Sequence, residues 1–297
     1  MARRSPVRRD FPDLPTGPVA STFSSVELST DTADPDGVLL LLDGVESSYL
    51  DLVDPTRLVF EYMQQMAEVL EEVLPDGEGV RAVHLGAAGC AMARAVDARW
   101  PGSRQLAVEI DPLLAQYVRE WFALPRAPRL RIRIDDARHA LTTLREGGFD
   151  VVIRDVFAQR VVPEHVRTLE FTREVGRALG PNGLYLANSA DHPPLPHARR
   201  EAATVRSVFA HTAVIVEPGV LRGRRYGNVV LVGSGAPLPF ERIERRLRRL
   251  PAPATLVHSA ALDQFIGTSR PYPDPEPAGG AGRGPEPCAD AGPRFGA

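Results

Sequence analysis

Hydrophobic positions along the chain change their spacing three times before residue 80. Over residues 21–30 they alternate loosely with polar ones, over 38–42 they run unbroken, and over 47–52 the alternation resumes. A period of two marks a half-buried strand and a short unbroken run a strand covered on both faces. Asp34-Pro35-Asp36-Gly37 lies between the first two segments. Proline presets φ and glycine supplies a positive φ, so a reversal is predicted there and a small β-module over 19–54. Leu58, Val59, Tyr62, Met63, Met66, Val69 and Leu70 then recur at helical intervals behind Asp54-Pro55-Thr56, which predicts a helix beginning at that cap and ending at Leu74-Pro75-Asp76-Gly77.

Strict alternation follows. Apolar strand patterns at 80–85, 105–110, 130–134, 149–153 and 184–187 are each followed by a helical pattern, at 90–100, 112–122, 137–144, 163–179 and 197–209. Strands that alternate with helices predict a parallel sheet covered on both faces. The last two strand patterns, 213–217 and 228–232, are joined by 218–227, too short for a crossover helix, and should pair antiparallel at the sheet edge. The expected fold class is therefore α/β: a doubly wound, mostly parallel seven-stranded sheet resembling the methyltransferase type, with an antiparallel edge hairpin, over residues 55–269.

Composition narrows this picture. The chain has 297 residues, 43% hydrophobic and 25% charged, which suits one sizeable core. Its net charge of −3 argues against general nucleic-acid binding. All its Lys-plus-Arg positions are Arg, which reads as a genomic bias. Two cysteines, Cys90 and Cys288, stand far apart, so neither a disulfide framework nor a metal site is expected, and a reducing cytoplasm is the default location. The basic first residues are not followed by an apolar core, and the run at 38–42 is far too short to cross a bilayer. Residues 1–18, rich in Arg and Pro, read as a flexible arm, and 270–297, rich in Pro, Gly and acid, as a disordered tail.

In such a sheet, ligands bind beyond the carboxyl ends of the strands near the switch point. The first end is Gly86-Ala87-Ala88-Gly89-Cys90, whose small residues let the backbone turn sharply and approach a ligand. Glu109-Ile110-Asp111 closes the next strand about 20 residues on, the spacing at which a carboxylate reaches two ribose hydroxyls. Glu109 is assigned to that role and Asp111 to capping the helix at Pro112. Asp135-Asp136-Ala137 closes the third strand, where a carboxylate accepts from an adenine amino group or caps the next helix. Arg154-Asp155 closes the fourth, a charged pair expected at the mouth of the sheet. Four suitable ends in order are jointly far more specific than any one.

From Leu42-Asp43-Gly44-Val45 through Phe60-Glu61-Tyr62, the turn at Gly86, the motifs of Glu109 and Asp136, residues 149–155 and residues 163–188, the sequence resembles the spermidine synthase-like family of aminopropyltransferases over roughly residues 38–234. The resemblance implies decarboxylated S-adenosylmethionine, or S-adenosylmethionine, as the nucleotide, no metal, and a small amine as acceptor, with a homodimer left open. It places Gly86, Ala87, Gly89, Glu109, Ile110, Asp136 and Ala137 around the nucleotide, Asp155 as the catalytic carboxylate, and Glu46, Tyr62, Gln64 and Asp191 around the acceptor. Two family positions that are usually acidic carry Gly89 and Ala158 here, a Gln is replaced near Glu46-Ser47, and a His near Gln64-Gln65; Asp191 and Glu46 are the candidates to compensate.

Three readings follow. Aminopropyl transfer predicts an acidic acceptor slot around Asp155 and Asp191. Methyl transfer predicts a cation near the methionine end, with Arg94 the candidate. A degenerate, non-catalytic protein predicts a collapsed pocket. Among the remaining residues, His84 and Cys90 read as packing residues, His165 as a surface or capping residue, and 242–249 as a solvated arginine-rich helix face.

Overall fold

The computed structural model describes residues 14–31, 33–158 and 160–274; the N-terminal arm up to residue 13 and the tail from 275 lie outside them. The N-terminal module is an antiparallel sheet of four strands in sequence order: β1 (Val19–Ala20), β2 (Ser25–Asp31), β3 (Asp34–Leu42) and β4 (Val45–Asp51). Val26, Val38, Leu40 and Leu50 form its buried face. The β2–β3 ladder closes with Asp31 opposite Asp34, so Asp34-Pro35-Asp36-Gly37 is the start of β3 and not the predicted reversal. Asp34 is held there by the Tyr49 hydroxyl and by the Arg57 guanidinium, whose Nη2 lies 2.7 Å from Oδ2. Gly37 serves packing rather than a turn, because a Cβ on it would lie 1.8 Å from the Tyr49 hydroxyl oxygen.

Helix α1 spans Glu61–Val73 and begins later than the Asp54-Pro55 cap predicts. Asp54 folds its own turn instead, its Oδ1 accepting from the Thr56 N–H (2.9 Å) and hydroxyl (2.6 Å). Such local side-chain bonds compete with helix initiation. Tyr62, Met63, Met66, Val69 and Leu70 form the buried stripe, while Leu58 and Val59 precede the helix.

The second sheet has eight strands: β5 (Arg81–Leu85), β6 (Arg104–Glu109), β7 (Leu130–Ile134), β8 (Phe149–Arg154), β9 (Leu179–Asp191), β10 (His211–Val216), β11 (Gly227–Ser234) and β12 (Thr255–His258). Their spatial order is β12-β10-β11-β9-β8-β5-β6-β7. The β5 to β9 strands pair in parallel, and the β9–β11, β11–β10 and β10–β12 ladders are antiparallel. The expected seventh-strand edge is therefore covered. β12 is a four-residue strand, too short to show a period, and it pairs with β10. Helices α2 (Ala91–Arg99), α3 (Pro112–Trp121), α4 (Ala137–Thr142), α5 (Leu169–Ala178) and α6 (Pro196–Arg206) follow β5 to β9, and a single turn, α7 (Pro218–Leu221), fits into the β10–β11 connection. Helices α8 (Phe240–Leu247) and α9 (Ser259–Ile266) complete the chain. Separate apolar clusters fill the two faces of the sheet.

Two surface expectations are amended. The arginine-rich face of α8 is solvated, as expected, but it also reaches α1: Arg242, 61% exposed, places Nε 2.6 Å from Glu72, and Arg246 Nη1 lies 2.9 Å from Glu68. The first residues of the tail are docked. Tyr272 accepts from the Leu169 N–H at 2.7 Å through its carbonyl, and its ring lies between the Arg167 and Arg200 guanidiniums at 4.5 and 3.7 Å from the centroid. Asp274 pairs with Arg138. Guanidinium stacking supplies what this Pro-rich composition lacks in apolar surface. Among the described residues no helix is long and apolar enough to cross a membrane, and no three His, Cys, Asp or Glu side chains gather to hold a metal ion.

Candidate active site

The strand order reverses direction around β5, and beyond the carboxyl ends of β5, β6, β7, β8 and β9 opens a cavity of about 870 Å³, roofed by the β3–β4 hairpin and the start of α1. Its size lies within the range of small-molecule sites, about 300–1,000 Å³.

The floor is the turn after β5. Gly86 has φ +80°, and a Cβ there would sit 2.3 Å from the Asp155 carbonyl oxygen, so only glycine brings the two strand ends together. Ala87 and Ala88 direct their N–H groups to Glu109 Oε2 at 3.3 and 3.0 Å, while Glu109 Oε1 accepts from the Asp111 N–H at 3.1 Å. Burial raises the Glu109 carboxyl above its ordinary value, with these backbone N–H groups opposing. Ile110 lines the cavity and is 55% exposed. Gly89 does not line it. Its N–H donates to Ser48 Oγ at 3.0 Å, and a Cβ on it would lie 2.8 Å from Leu50 Cδ1 and Ser48 Cβ. The turn is pinned to the N-terminal sheet at this residue, which removes Gly89 from the nucleotide set.

Asp136 performs two tasks. Its Oδ1 caps α4, accepting from the Arg138 and His139 N–H groups at 2.9 and 3.0 Å, and its Oδ2 lies 2.9 Å from His165 Nε2. Asp136 and Ala137 both line the cavity, and so does His165, which the sequence reading left on the surface. Asp111 caps α3 through the Leu114 N–H (3.0 Å), as expected.

Asp155 and its partners form the centre. The Tyr62 hydroxyl donates to Oδ2 at 2.7 Å and the Asn188 amide to Oδ1 at 3.0 Å. A carboxylate only accepts, so the Asn188 nitrogen faces it. The Asn188 side-chain oxygen Oδ1 is then buried with no hydrogen-bond partner among the described residues, in a residue that lines the cavity. Burial raises the Asp155 carboxyl above the usual carboxylate value, and the bonds from Tyr62 and Asn188, with the charge of Arg154, pull it part of the way back.

Arg154 does not share the mouth with Asp155. Consecutive residues of a strand point to opposite faces, and Arg154 is fully buried on the other one. It donates to the Val166 and Asn188 carbonyls at 3.1 and 2.7 Å and pairs with the buried Glu201 at 2.7 Å. The positive charge next to Asp155 in the sequence is thus neutralised behind the site.

Of the expected acceptor residues, Tyr62 and Glu46 line the cavity and Gln64 and Asp191 do not. Gln64 donates to the Leu58 carbonyl at 2.8 Å. Asp191 accepts from the His197 and Ala198 N–H groups at 2.8 and 3.0 Å and from its neighbour His192, which satisfies the start of α6, where Leu195 has no side-chain cap to offer. Arg94 is also spent elsewhere, donating to the Asp51 carbonyl at 2.8 Å from a buried position. His84 bonds Gln105 at 2.8 Å, and burial pushes its imidazole down to about 4; burial pushes the Cys90 thiol up to about 12. Both are packing residues. Asn188 is the residue that the sequence reading missed; its position at the end of β9, opposite the end of β8, was the available signal.

Comparison with known proteins follows the same lines. No protein-family profile matches the chain. A polyamine aminopropyltransferase of Vibrio vulnificus is 30% identical over 186 residues, 62% of this chain and 58% of that protein. The chain therefore aligns with little more than half the length of this relative. A crystal structure of a probable spermidine synthase from Corynebacterium glutamicum superposes with a TM-score of 0.85 at 37% identity, covering 90% of this chain and 99% of that one. The spermidine synthase of Thermotoga maritima shares the fold at a TM-score of 0.60 and 16% identity, over 85% of this chain and 87% of that one. With a near-complete superposition at 37% identity, the chain belongs to the spermidine synthase-like family as a divergent member.

Proposed function

We propose that the protein transfers an aminopropyl group from decarboxylated S-adenosylmethionine to a small amine, with Asp155 as the carboxylate that receives the amine. The observation that carries this reading is the buried Tyr62–Asp155–Asn188 cluster. It offers a carboxylate fixed by two neutral donors and, beside it, an amide oxygen still able to accept. An amine brings two or three N–H groups, which such a cluster can receive.

The residues at the other strand ends suit the nucleotide. Glu109 can exchange its bonds to Ala87 and Ala88 for ribose hydroxyls, Asp136 and Ala137 would border the base, and the turn at Gly86 sets only the small side chains of Ala87 and Ala88 against the ligand. The sulfonium makes the attached aminopropyl carbon electrophilic. Asp155 orients the acceptor nitrogen and takes a proton from it, which frees the lone pair. The C–N bond forms as the C–S bond breaks, with its electron pair left on sulfur as a neutral thioether. Burial above the ordinary carboxylate range makes Asp155 a better proton acceptor than a solvated acid.

The alternatives find less support. Methyl transfer needs a basic or backbone partner for the methionine carboxylate; the expected one, Arg94, is committed to the Asp51 carbonyl, which leaves Arg160 as the arginine lining the cavity among the described residues. A degenerate protein should have a collapsed pocket, and this cavity is open. The test is calorimetric binding of S-adenosylmethionine, its decarboxylated form and methylthioadenosine, followed by a mass-spectrometric screen of amines. Preference for the decarboxylated form and loss of turnover in Asp155→Asn, with nucleotide binding kept, is the expected result. Preference for intact S-adenosylmethionine, or turnover by Asp155→Asn, would overturn the reading.

A further inference from the structure

Asp111 does more than cap a helix. Its Oδ2 accepts from the Ser21 hydroxyl at 2.5 Å and the Phe23 N–H at 3.1 Å, and its Oδ1 from the Thr22 N–H at 3.2 Å. The loop between β1 and β2 is tied to itself as well: the Ser21 N–H donates to the Ser24 carbonyl at 2.8 Å and the Ser24 N–H to Ser21 Oγ at 3.1 Å. One residue before it, the Ala20 carbonyl accepts from the Tyr117 hydroxyl of α3 at 3.0 Å. Asp111 is 3% exposed, and these contacts hold its acid form below the usual range although burial opposes them.

The loop so fastened carries Phe23, which is 64% exposed and lines the cavity together with Ile110, itself 55% exposed. Phe23 and Ile110 are the two most exposed large apolar side chains that line the cavity among the described residues. Several hydrogen bonds spent on one loop fix where Phe23 stands. A flat nucleoside is the ligand that such an aromatic wall suits, since offset stacking and apolar burial act together.

From this geometry we infer that Phe23 is a nucleoside-binding residue supplied by the N-terminal module, with Asp111 and Ser21 as the positioning residues that latch its loop to the strand end bearing Glu109. The inference rests on the nucleotide reading of the cavity given above. It makes the stretch Glu109-Ile110-Asp111 a single recognition unit, in which Glu109 faces the ribose, Ile110 offers one apolar wall and Asp111 holds the other in place through the loop.

The experiment is calorimetric titration of methylthioadenosine into the full-length protein and its Phe23→Ala, Phe23→Tyr and Ser21→Ala variants. A side chain this exposed contributes little to folding, so Phe23→Ala should melt with the wild type. Expected are a loss of affinity of about tenfold in Phe23→Ala with a less negative heat-capacity change, retention in Phe23→Tyr, and a few-fold loss in Ser21→Ala, where the latch loosens and the cap of α3 stays. Binding by wild type that Phe23→Ala leaves unchanged overturns this inference and leaves the nucleotide site standing. Failure of the wild type to bind any adenosine thioether overturns both.

Discussion

Replacing Tyr62 by Phe removes one hydroxyl and keeps the ring in α1, so it isolates the 2.7 Å bond to Asp155 Oδ2. A hydrogen bond to a charged group in a buried site contributes about 1.5–3 kcal/mol. Losing this donor removes one of the two bonds that restrain the group, so the Asp155 carboxyl should rise further in the variant. The direction is fixed by the surroundings: burial already raises this group, and Tyr62 and Asn188 are the donors that restrain it. Asp155 must be ionised to take a proton, so activity falls as pH drops through its titration. The acidic limb of kcat/KM should therefore move to higher pH in Tyr62→Phe. Stability follows the same linkage with its own sign. A carboxyl that binds its proton more tightly in the folded state favours folding most at low pH, and that contribution is lost as pH rises from the unfolded-state value to the raised folded-state value. The variant should lose more stability over that rise than the wild type. The assay is aminopropyl transfer between about pH 5 and 9, paired with urea unfolding over the same range. A folded variant whose acidic limb stays in place would refute the claim that Tyr62 sets the charge of Asp155.

Other expectations follow from the same geometry. Glu109→Ala should weaken binding of an adenosine thioether by about an order of magnitude or more, since it removes the carboxylate proposed to face the ribose; calorimetry showing equal affinity would remove Glu109 from the site. Arg154→Met leaves Glu201 buried without its partner and should cost about 3–5 kcal/mol in urea unfolding, much of it recovered when Glu201 is also made apolar. A single-variant loss below about 1 kcal/mol would mean that the pair is not buried as described. Gly89→Asp should destabilise the protein by about 1–3 kcal/mol through its collision with Ser48 and Leu50, without adding an acid to the cavity; a stable variant with stronger binding of a diamine would contradict the placement of that residue.

Periodicity and turn chemistry made much of this protein legible before any coordinates. The parallel strands, their order along the chain, the glycine turn that closes the first and the acidic residues that close the next three were readable because an amphipathic period and a strand end are local properties. The sequence by itself determined which residues stand at the mouth of the sheet: Gly86, Glu109, Asp136 and Asp155 are all there. Direction and partner were not readable, because both depend on neighbours distant in the chain. Asp155 and Arg154 are adjacent in sequence, yet the strand sends one to the cavity and the other to Glu201 behind it. Asp191 was an equally good candidate acid until the start of α6 claimed its oxygens. Gly89 turned towards Ser48 because the N-terminal sheet packs on the turn, and Asn188 became a partner of Asp155 because β9 pairs beside β8. Only the tertiary structure decided which of the available polar groups were consumed in holding the fold and which were left to meet a ligand, since a buried donor or acceptor takes the nearest partner in space.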